Sequence, residues 1–384
     1  MKSVYIVAVE RSGDQIGASL VSELRVLDPS ISVYGTGGAE LANLGVSSAI
    51  DISDLAVLGF VEAIKVYAIV LDRVRQVTED ILETNPDSVV LIDSWGFMIR
   101  VAKALKSKGY RGKIIKYVAP QVWAMREGRA KILAKYVDHL LTIHSFDAPY
   151  FERHALPVFY TGNPVFDTDY TQGDSKALRE SLKISAHQKI ICVLFGSRLS
   201  EVQNLAKPYA DTIDILSKSH PDVVFVSPVS DSVSTDVAAA AGADLRLQNI
   251  IFLPEIQKFD LFSAADIALS CSGTVTTQLA CMGIPTVVAY KLNPLTHFFA
   301  KRLYKPDFVS IVNVAAKAEL MPEFIQTDCN GPKLAHALSN YLNDPDLRDN
   351  TRQSLKQQTL AMKGEGGNVS ARAARAVHDI MRKT

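Results

Sequence analysis

Four short stretches carry residues suited to holding phosphate and moving a proton. In "SCSGTVTTQLACMGIPTVV", residues 270 to 288, a Ser272-Gly273-Thr274 turn separates small apolar residues from a helix-like segment. The unpaired N–H groups of a helix's first turn, aligned with the helix dipole, favour an anion there, usually phosphate. The same turn also reads as a plain cap, with Ser272 closing the helix and Gly273 permitting the bend, and the residues alone leave both readings open. "FGSRLSEV", 195 to 202, repeats the device with Gly196, Ser197 and Arg198 at a second helix start. A guanidinium there clamps phosphate through two hydrogen bonds, more firmly than an ammonium does. Two such seats suit a pyrophosphate.

The carboxylates come earlier in the chain. "LIDSWGF", 91 to 97, ends an apolar run on Asp93, and apolar neighbours can raise a carboxyl's proton affinity enough for general-base work. The alternative is that Asp93 caps the helix that follows. "VERSGD", 9 to 14, sets Glu10 and Asp14 on either side of Ser12 and Gly13 at another helix start. Such turns cap many helices, and the G-x-G-x-x-G dinucleotide pattern is absent there. Acids in the first half and anion seats in the second suit group transfer from a phosphorylated donor.

These stretches need a scaffold, and the chain supplies one. Apolar runs at 4 to 9, 88 to 93, 113 to 118, 189 to 195 and 222 to 229 alternate with helical segments, which predicts βαβ units and parallel sheets. Ile267, Ala268, Leu269 and Cys271 suit a further buried strand, followed by a helix from Thr274 to Met282 that Gly283 closes and Pro285 stops. Ligands of open parallel sheets sit beyond the carboxyl ends of the strands, where all four stretches fall. Turn formers cluster from 156 to 182, placing a boundary near 165 to 175. The expectation is α/β architecture: two doubly wound, Rossmann-like domains, 1–168 and 169–360, facing one another across a cleft. "MKGEGGN", 362 to 368, breaks the chain before a last helix within 361–384 that could pack back on the first domain.

Composition narrows the field. At 384 residues the chain suits two domains, each with its own core. Lys plus Arg equals Asp plus Glu at 41 each, so no bulk charge points to nucleic acid as a partner. Cysteines 192, 271, 281 and 329 are few and show no C-x-x-C spacing, which suggests a reducing compartment and no structural zinc. The start, "MKSVYIVAVERSGD", is too short in apolar residues for a signal peptide and reads as a strand, so a cytoplasmic location is expected. The apolar stretch 55 to 71 carries Glu62 and Lys65 and reads as a core or surface helix, or one that touches a membrane, rather than as a span.

Taken in order, "ERSGD", "VLGFVE", "IDSWGF", "YVAPQVWAMREGR", "FGSRLSEV", "CSGTVTTQLA", "VVAYKLNPLT" and "VSIVNVAAKAELMPEFIQ" resemble the lipid-A-disaccharide synthase family over nearly the whole chain. The resemblance implies a GT-B glycosyltransferase of the inverting kind. It would join UDP-2,3-diacylglucosamine to 2,3-diacylglucosamine 1-phosphate, releasing UDP and the lipid A disaccharide 1-phosphate. It further implies Asp93 as general base with Glu10 in the catalytic set, and Ser12, Gly13 and Asp14 in an acceptor-side loop. Gly196, Ser197, Arg198, Ser272, Gly273, Thr274, Gln278, Asn313, Glu323 and Gln326 would serve the donor. No metal or other cofactor is expected, Arg198 and helix N-termini meeting the pyrophosphate charge instead. The chain departs from the family pattern at Val9, Trp95, Gly96, Phe195 and Gln278, the last standing where a glutamate is usual.

Because both substrates carry acyl chains, the resemblance implies peripheral association with the inner membrane surface, and it admits a homodimer. "NPLTHFFAKRLYK", 293 to 305, interleaves Leu295, Phe298, Phe299, Leu303 and Tyr304 with Lys301, Arg302 and Lys305, which suits a membrane surface or a helix packed on the protein. His297 within it reads as structural. Two other classes share the architecture: a UDP-sugar 2-epimerase and a non-catalytic UDP-sugar-binding paralogue. The apolar 55 to 71 segment and the "PEFIQ" motif argue against the epimerase.

Overall fold

A computed structural model of the chain describes residues 2 to 48, 50 to 52, 63 to 292, 304, 306 to 364 and 367 to 382. The first part of the apolar 55 to 71 segment lies outside the described residues, as does the 293 to 305 stretch apart from Tyr304. The chain forms two compact units, one of residues Met1–Asp167 with Lys363–Thr384 and one of Thr168–Met362.

Among the described residues, each unit is built on one six-stranded parallel sheet, as the alternating apolar runs predict. In the first unit β1 (Ser3–Ala8), β2 (Ser32–Thr36), β3 (Ser88–Ile92), β4 (Lys113–Tyr117), β5 (His139–Thr142) and β6 (Val158–Tyr160) lie in the order β2-β1-β3-β4-β5-β6. The second unit has β7 (Ile190–Leu194), β8 (Val224–Val229), β9 (Ile250–Pro254), β10 (Ile267–Cys271), β11 (Thr286–Tyr290) and β12 (Glu323–Ile325), ordered β12-β11-β10-β7-β8-β9.

The central strands are largely apolar because both sheet faces are covered, with Lys116 of β4 a buried exception. On β1, Tyr5 and Val7 pack with Val89, Leu91, Met98 and Val101, while Val4, Ile6 and Ala8 pack on the other face with Val90, Ile92, Leu20 and Leu24. In the second unit the alternation recurs, with Ile191, Val193 and Leu269 on one face and Ile190, Cys192 and Ala268 on the other. Burial pushes the Cys192 thiol far up and the Cys271 thiol up to about 12, so both behave as small apolar groups.

The last helix, Val369–Arg382, belongs to the first unit, burying Ala373, Ala374, Val377 and Met381 in the core beneath β1, β3 and β4. Asp167 caps its start, accepting from the Val369 and Ser370 amides at 3.0 and 3.2 Å. Each large apolar side chain buried this way contributes about 1.5–3 kcal/mol, which anchors the helix at the far end of the sequence.

Strand order fixes where ligands can enter. In the first sheet the chain runs from β1 outward to β2 and returns on the other side of β1 as β3. In the second it runs outward through β7, β8 and β9 and returns beside β7 as β10. The connections part in opposite directions between β1 and β3 and between β7 and β10, opening a crevice beyond the carboxyl ends of each pair.

Candidate functional site

Glu10 and Asp93 leave the two strands that border the crevice of the first unit. Ala8 pairs with Ile92, so the residues that follow emerge at the same level. Asp93 and Ser94 are both left-handed, with φ of 53° and 35°, a rare pair for non-glycine residues and a store of backbone strain. The Asp93 amide donates to the Tyr117 carbonyl at 3.0 Å, and the Trp95–Ser107 helix starts from Ser94, whose carbonyl accepts from Phe97 and Met98. Asp93 does not cap that helix: Ser94 holds the cap position and no side chain caps it. The Asp93 carboxylate is half-buried beside the ammonium of Lys116, which Glu10 also faces. Glu10 is exposed at the start of the Arg11–Leu27 helix.

The acceptor-side loop expected from Ser12, Gly13 and Asp14 is instead the first turn of that helix, because the chain turns helical directly after Glu10. Asp14 is only 4 % exposed. Its carboxylate accepts from the amides of Gly38 and Glu40 at 2.8 Å each and of Leu41 at 3.4 Å. Asp14 therefore holds the N-terminus of the Ala39–Asn43 helix from a buried position, rather than standing in an acceptor-side loop. Gly13 is buried against Ala8 and Ile92, and Ser12 is exposed.

In the second unit, Gly196 and Ser272 follow the two strands at the crevice, where Leu194 pairs with Ser270. Gly196 adopts φ 103°, and a Cβ placed there would stand 2.8 Å from Glu201 Cβ, so the position demands glycine. Arg198 is the N-cap of the Leu199–Ser219 helix. The backbone amides of Ser197 and Arg198 donate to Glu201 Oε2 at 3.0 and 3.3 Å, and Arg198 Nη1 donates to Glu201 Oε1 at 2.9 Å. That arrangement holds the Arg198 guanidinium firmly charged, the Glu201 hydrogen bond being the largest cause. The expected open anion seat at 196 to 198 is thus filled by the protein's own carboxylate, and what the loop offers outward is the guanidinium, whose side chain is 76 % exposed.

The Ser272 turn differs. Gly273, not Ser272, takes the N-cap of the Thr274–Met282 helix, and no side chain caps it. Ser272 Oγ donates to the Val309 carbonyl at 3.2 Å, so the plain-cap reading does not hold. Gly273 is extended, with φ 172°, and a Cβ there would meet open space. Thr274 is exposed in the first turn, and Gln278 lies one turn further on, half-buried. The helix closes on left-handed Gly283.

Of the residues expected to serve the donor, Asn313 and Glu323 are engaged by hydrogen bonds within the protein, and Gln326 through its Oε1. Asn313 is fully buried: Nδ2 donates to the Met321 carbonyl and Glu323 Oε1, and Oδ1 accepts from the Leu320 and Met321 amides, which exhausts its capacity. Glu323 accepts from the Val309 and Ser310 amides at 2.7 and 2.9 Å. Gln326 Oε1 accepts from the Leu292 amide at 2.9 Å. Glu323 and Asn313 brace the 309 to 313 segment, and through Val309 they support the hydroxyl of Ser272.

Two residues of these sites, Lys116 and Glu201, escaped the reading of the sequence, though each left a signal. A lysine inside the apolar run at 113 to 118 is unusual on a strand buried on both faces, and a glutamate three residues after an N-cap is the capping-box spacing. Among the described residues no cluster of His, Cys, Asp and Glu could hold a metal ion. Among them, too, no helix is long and apolar enough to cross a membrane.

The family model for lipid-A-disaccharide synthetase matches residues 4 to 377. Lipid-A-disaccharide synthases of Rhodospirillum centenum and Paramagnetospirillum magneticum are each 36 % identical to the chain, covering 99 % of it and 95 % and 98 % of their own lengths. Among solved structures, S. aureus MnaA with UDP superimposes with a TM-score of 0.69 at 14 % identity, covering 100 % of this chain and 97 % of that one. MurG of Acinetobacter baumannii does so with a TM-score of 0.56 at 13 % identity, covering 100 % of both. At such identities the likeness speaks for the fold, which is GT-B, and the sequence relatives carry the rest: the chain belongs to the lipid-A-disaccharide synthase family of glycosyltransferases.

Proposed function

We propose that the chain joins UDP-2,3-diacylglucosamine to 2,3-diacylglucosamine 1-phosphate, with the second unit holding the donor and the first supplying the base. The observation that carries this division is topological. The crevice of the first sheet is bordered by two acids, Glu10 and Asp93, and that of the second by Arg198 and an uncapped helix start at Gly273.

The acceptor's 6-hydroxyl attacks the anomeric carbon of the donor from the face opposite UDP. As the new C–O bond forms, the bond to the phosphate oxygen breaks, UDP departs with the electron pair, and Asp93 takes the hydroxyl proton. A positioned base contributes about 10²- to 10⁴-fold, so holding the two substrates in line supplies much of the remaining acceleration. Arg198 and the amides at the start of the Thr274–Met282 helix meet the charge that grows on the leaving diphosphate. The Ala63–Thr84 helix exposes Tyr67 and Leu71, four residues apart on one face, which supports a peripheral contact of the first unit with the cytoplasmic membrane surface.

The test is a reaction with donor labelled in its sugar and unlabelled acceptor. Labelled β-1,6 disaccharide 1-phosphate with one UDP per linkage is the expected result. A labelled 2-epimer formed without acceptor overturns the transferase reading in favour of an isomerase. Donor binding without turnover, in the presence of lipid vesicles, points to a binding paralogue.

A further inference from the structure

Lys116 stands where a charge is least expected. It lies on β4 between Leu91 of β3 and Leu140 of β5, and is 2 % exposed. Burying an ammonium is costly unless it is well paired and hydrogen-bonded. Its Nζ donates to the Asp93 carbonyl at 2.7 Å and to the Tyr117 carbonyl at 2.8 Å. The Tyr117 carbonyl also accepts from the Asp93 amide, so one ammonium ties the ends of β3 and β4 together across the start of the crevice. The tie spans three left-handed non-glycine residues. Asp93 and Ser94 are left-handed, and so is the β-branched Val118 at φ 69°, which such a residue rarely adopts. Strain of this kind persists only where the surroundings over-determine it.

We propose that Lys116 is a positioning residue for glycosyl transfer: its ammonium bridges the Asp93 and Tyr117 carbonyls, holds the left-handed Asp93–Ser94 turn, and so aims the Asp93 carboxylate beside Glu10. The proposal rests on the reading of Asp93 as the base. The charged groups that face the ammonium are Asp93, after β3, and Glu10, after β1; β5 presents Leu140 alongside it. Burial pulls the Lys116 pKa down to about 7, against the pull of the two carboxylates. The clamp is therefore charged below neutral pH and weakens above it, because a neutral amine makes poorer hydrogen bonds to carbonyls and no longer attracts the carboxylates.

Stability runs the other way. The unfolded lysine titrates near 10.5 and the folded one near 7, so between these values the unfolded chain binds more protons and folding becomes more favourable as pH rises. Over that window turnover should fall while the Lys116 contribution to stability increases. A lysine that only supports the fold would not separate the two.

The experiment measures kcat and the urea midpoint from pH 6 to 9 for the wild type, Lys116→Gln and Lys116→Met, with UDP affinity by calorimetry. The wild type should show an alkaline limb in kcat with an apparent pKa near 7. Both variants should lose that limb and turn over at least about tenfold more slowly at pH 6, with UDP affinity within about twofold. Should neither variant fold, the wild-type curves still decide, because a flat kcat across this range overturns the proposal. It is equally overturned if Lys116→Gln keeps the alkaline limb or turns over normally. Asp93→Asn is the separate control: if that variant retains turnover, the reading of Asp93 fails, whatever Lys116 does.

Discussion

Two helices of the second unit start side by side from adjacent strands, yet one start is sealed and the other open. At the Leu199–Ser219 helix, Glu201 folds back on the Ser197 and Arg198 amides and on the guanidinium. At the Thr274–Met282 helix, Gly273 holds the cap with no side chain on it and empty space where a Cβ would be. Both ends carry the same partial charge from the helix dipole, so local sequence alone sets the difference. The sealed end keeps a cation in place, and the open end keeps backbone donors for a ligand. A diphosphate between them would meet a fixed guanidinium on one side and unsatisfied amides on the other.

The largest expected effect leaves both ends untouched. Asp93→Asn should lower turnover by at least roughly two orders of magnitude while UDP affinity stays within a few fold, since it removes a proton acceptor from the other unit. Steady-state kinetics with UDP calorimetry checks this. Equal loss of UDP binding would show that donor seating depends on the first unit, and retained turnover would end the base assignment.

The two glycines sharpen the contrast further. Gly196→Ala forces a left-handed backbone and a contact with Glu201, which should cost roughly 2–4 kcal/mol and lower the urea midpoint. Gly273→Ala faces neither problem and should change stability by less than about 0.5 kcal/mol. It should still weaken UDP about tenfold, because a methyl group would stand where phosphate approaches the backbone. If Gly273→Ala binds UDP normally, the open end is not the phosphate seat.

How far these differences were legible beforehand follows a physical line. Strand runs, the Gly283 stop and the positions of Asp93, Arg198 and Gly273 at strand ends can be read locally, because periodicity and turn chemistry are properties of neighbours in sequence. What Asp14 and Asn313 do could not be. The Asp14 carboxylate is consumed by amides 24 to 27 residues away, and Asn313 closes a loop with residues up to ten positions on. Polar residues near a site read as ligands until the fold shows which backbone groups they satisfy. Val9, Phe195 and Gln278 show the converse, since their departures from the family pattern are plain in sequence while their consequences depend on packing. Phe195, for example, is buried and stacked at a tilt on Tyr209, with ring centres 5.1 Å apart.

A smaller effect tests what seals the first helix. Glu201→Gln removes a negative charge beside the guanidinium and weakens the cap, so stability should fall by about 1 kcal/mol. UDP should bind roughly three- to tenfold tighter, because Arg198 and the two amides no longer share a carboxylate. Chemical denaturation and calorimetry on the same preparation read both. Weaker UDP binding instead would mean that Glu201 serves the donor by aiming Arg198, and that sealing is the functional state of this end.

The smallest effect concerns Gln278, one turn into the open helix and half-buried. If the turn at Ser272 to Thr274 seats the diphosphate, residue 278 is placed to reach the ribose behind it. A neutral amide offers one acceptor there, whereas a carboxylate could accept from both ribose hydroxyls. Gln278→Glu should therefore tighten UDP by about 1 kcal/mol, or about fivefold. The gain depends on those hydroxyls, so for 2′,3′-dideoxy-UDP it should vanish or reverse, the new carboxylate being left unpaired near phosphate charge. Titrating both nucleotides into both proteins yields the four affinities needed. Weaker UDP binding by the variant would show a ribose site rebuilt around the amide, with Gln278 as its proper ligand. No change for either nucleotide would place residue 278 away from the donor, and would confine the ligand-binding role of the open helix to its first turn.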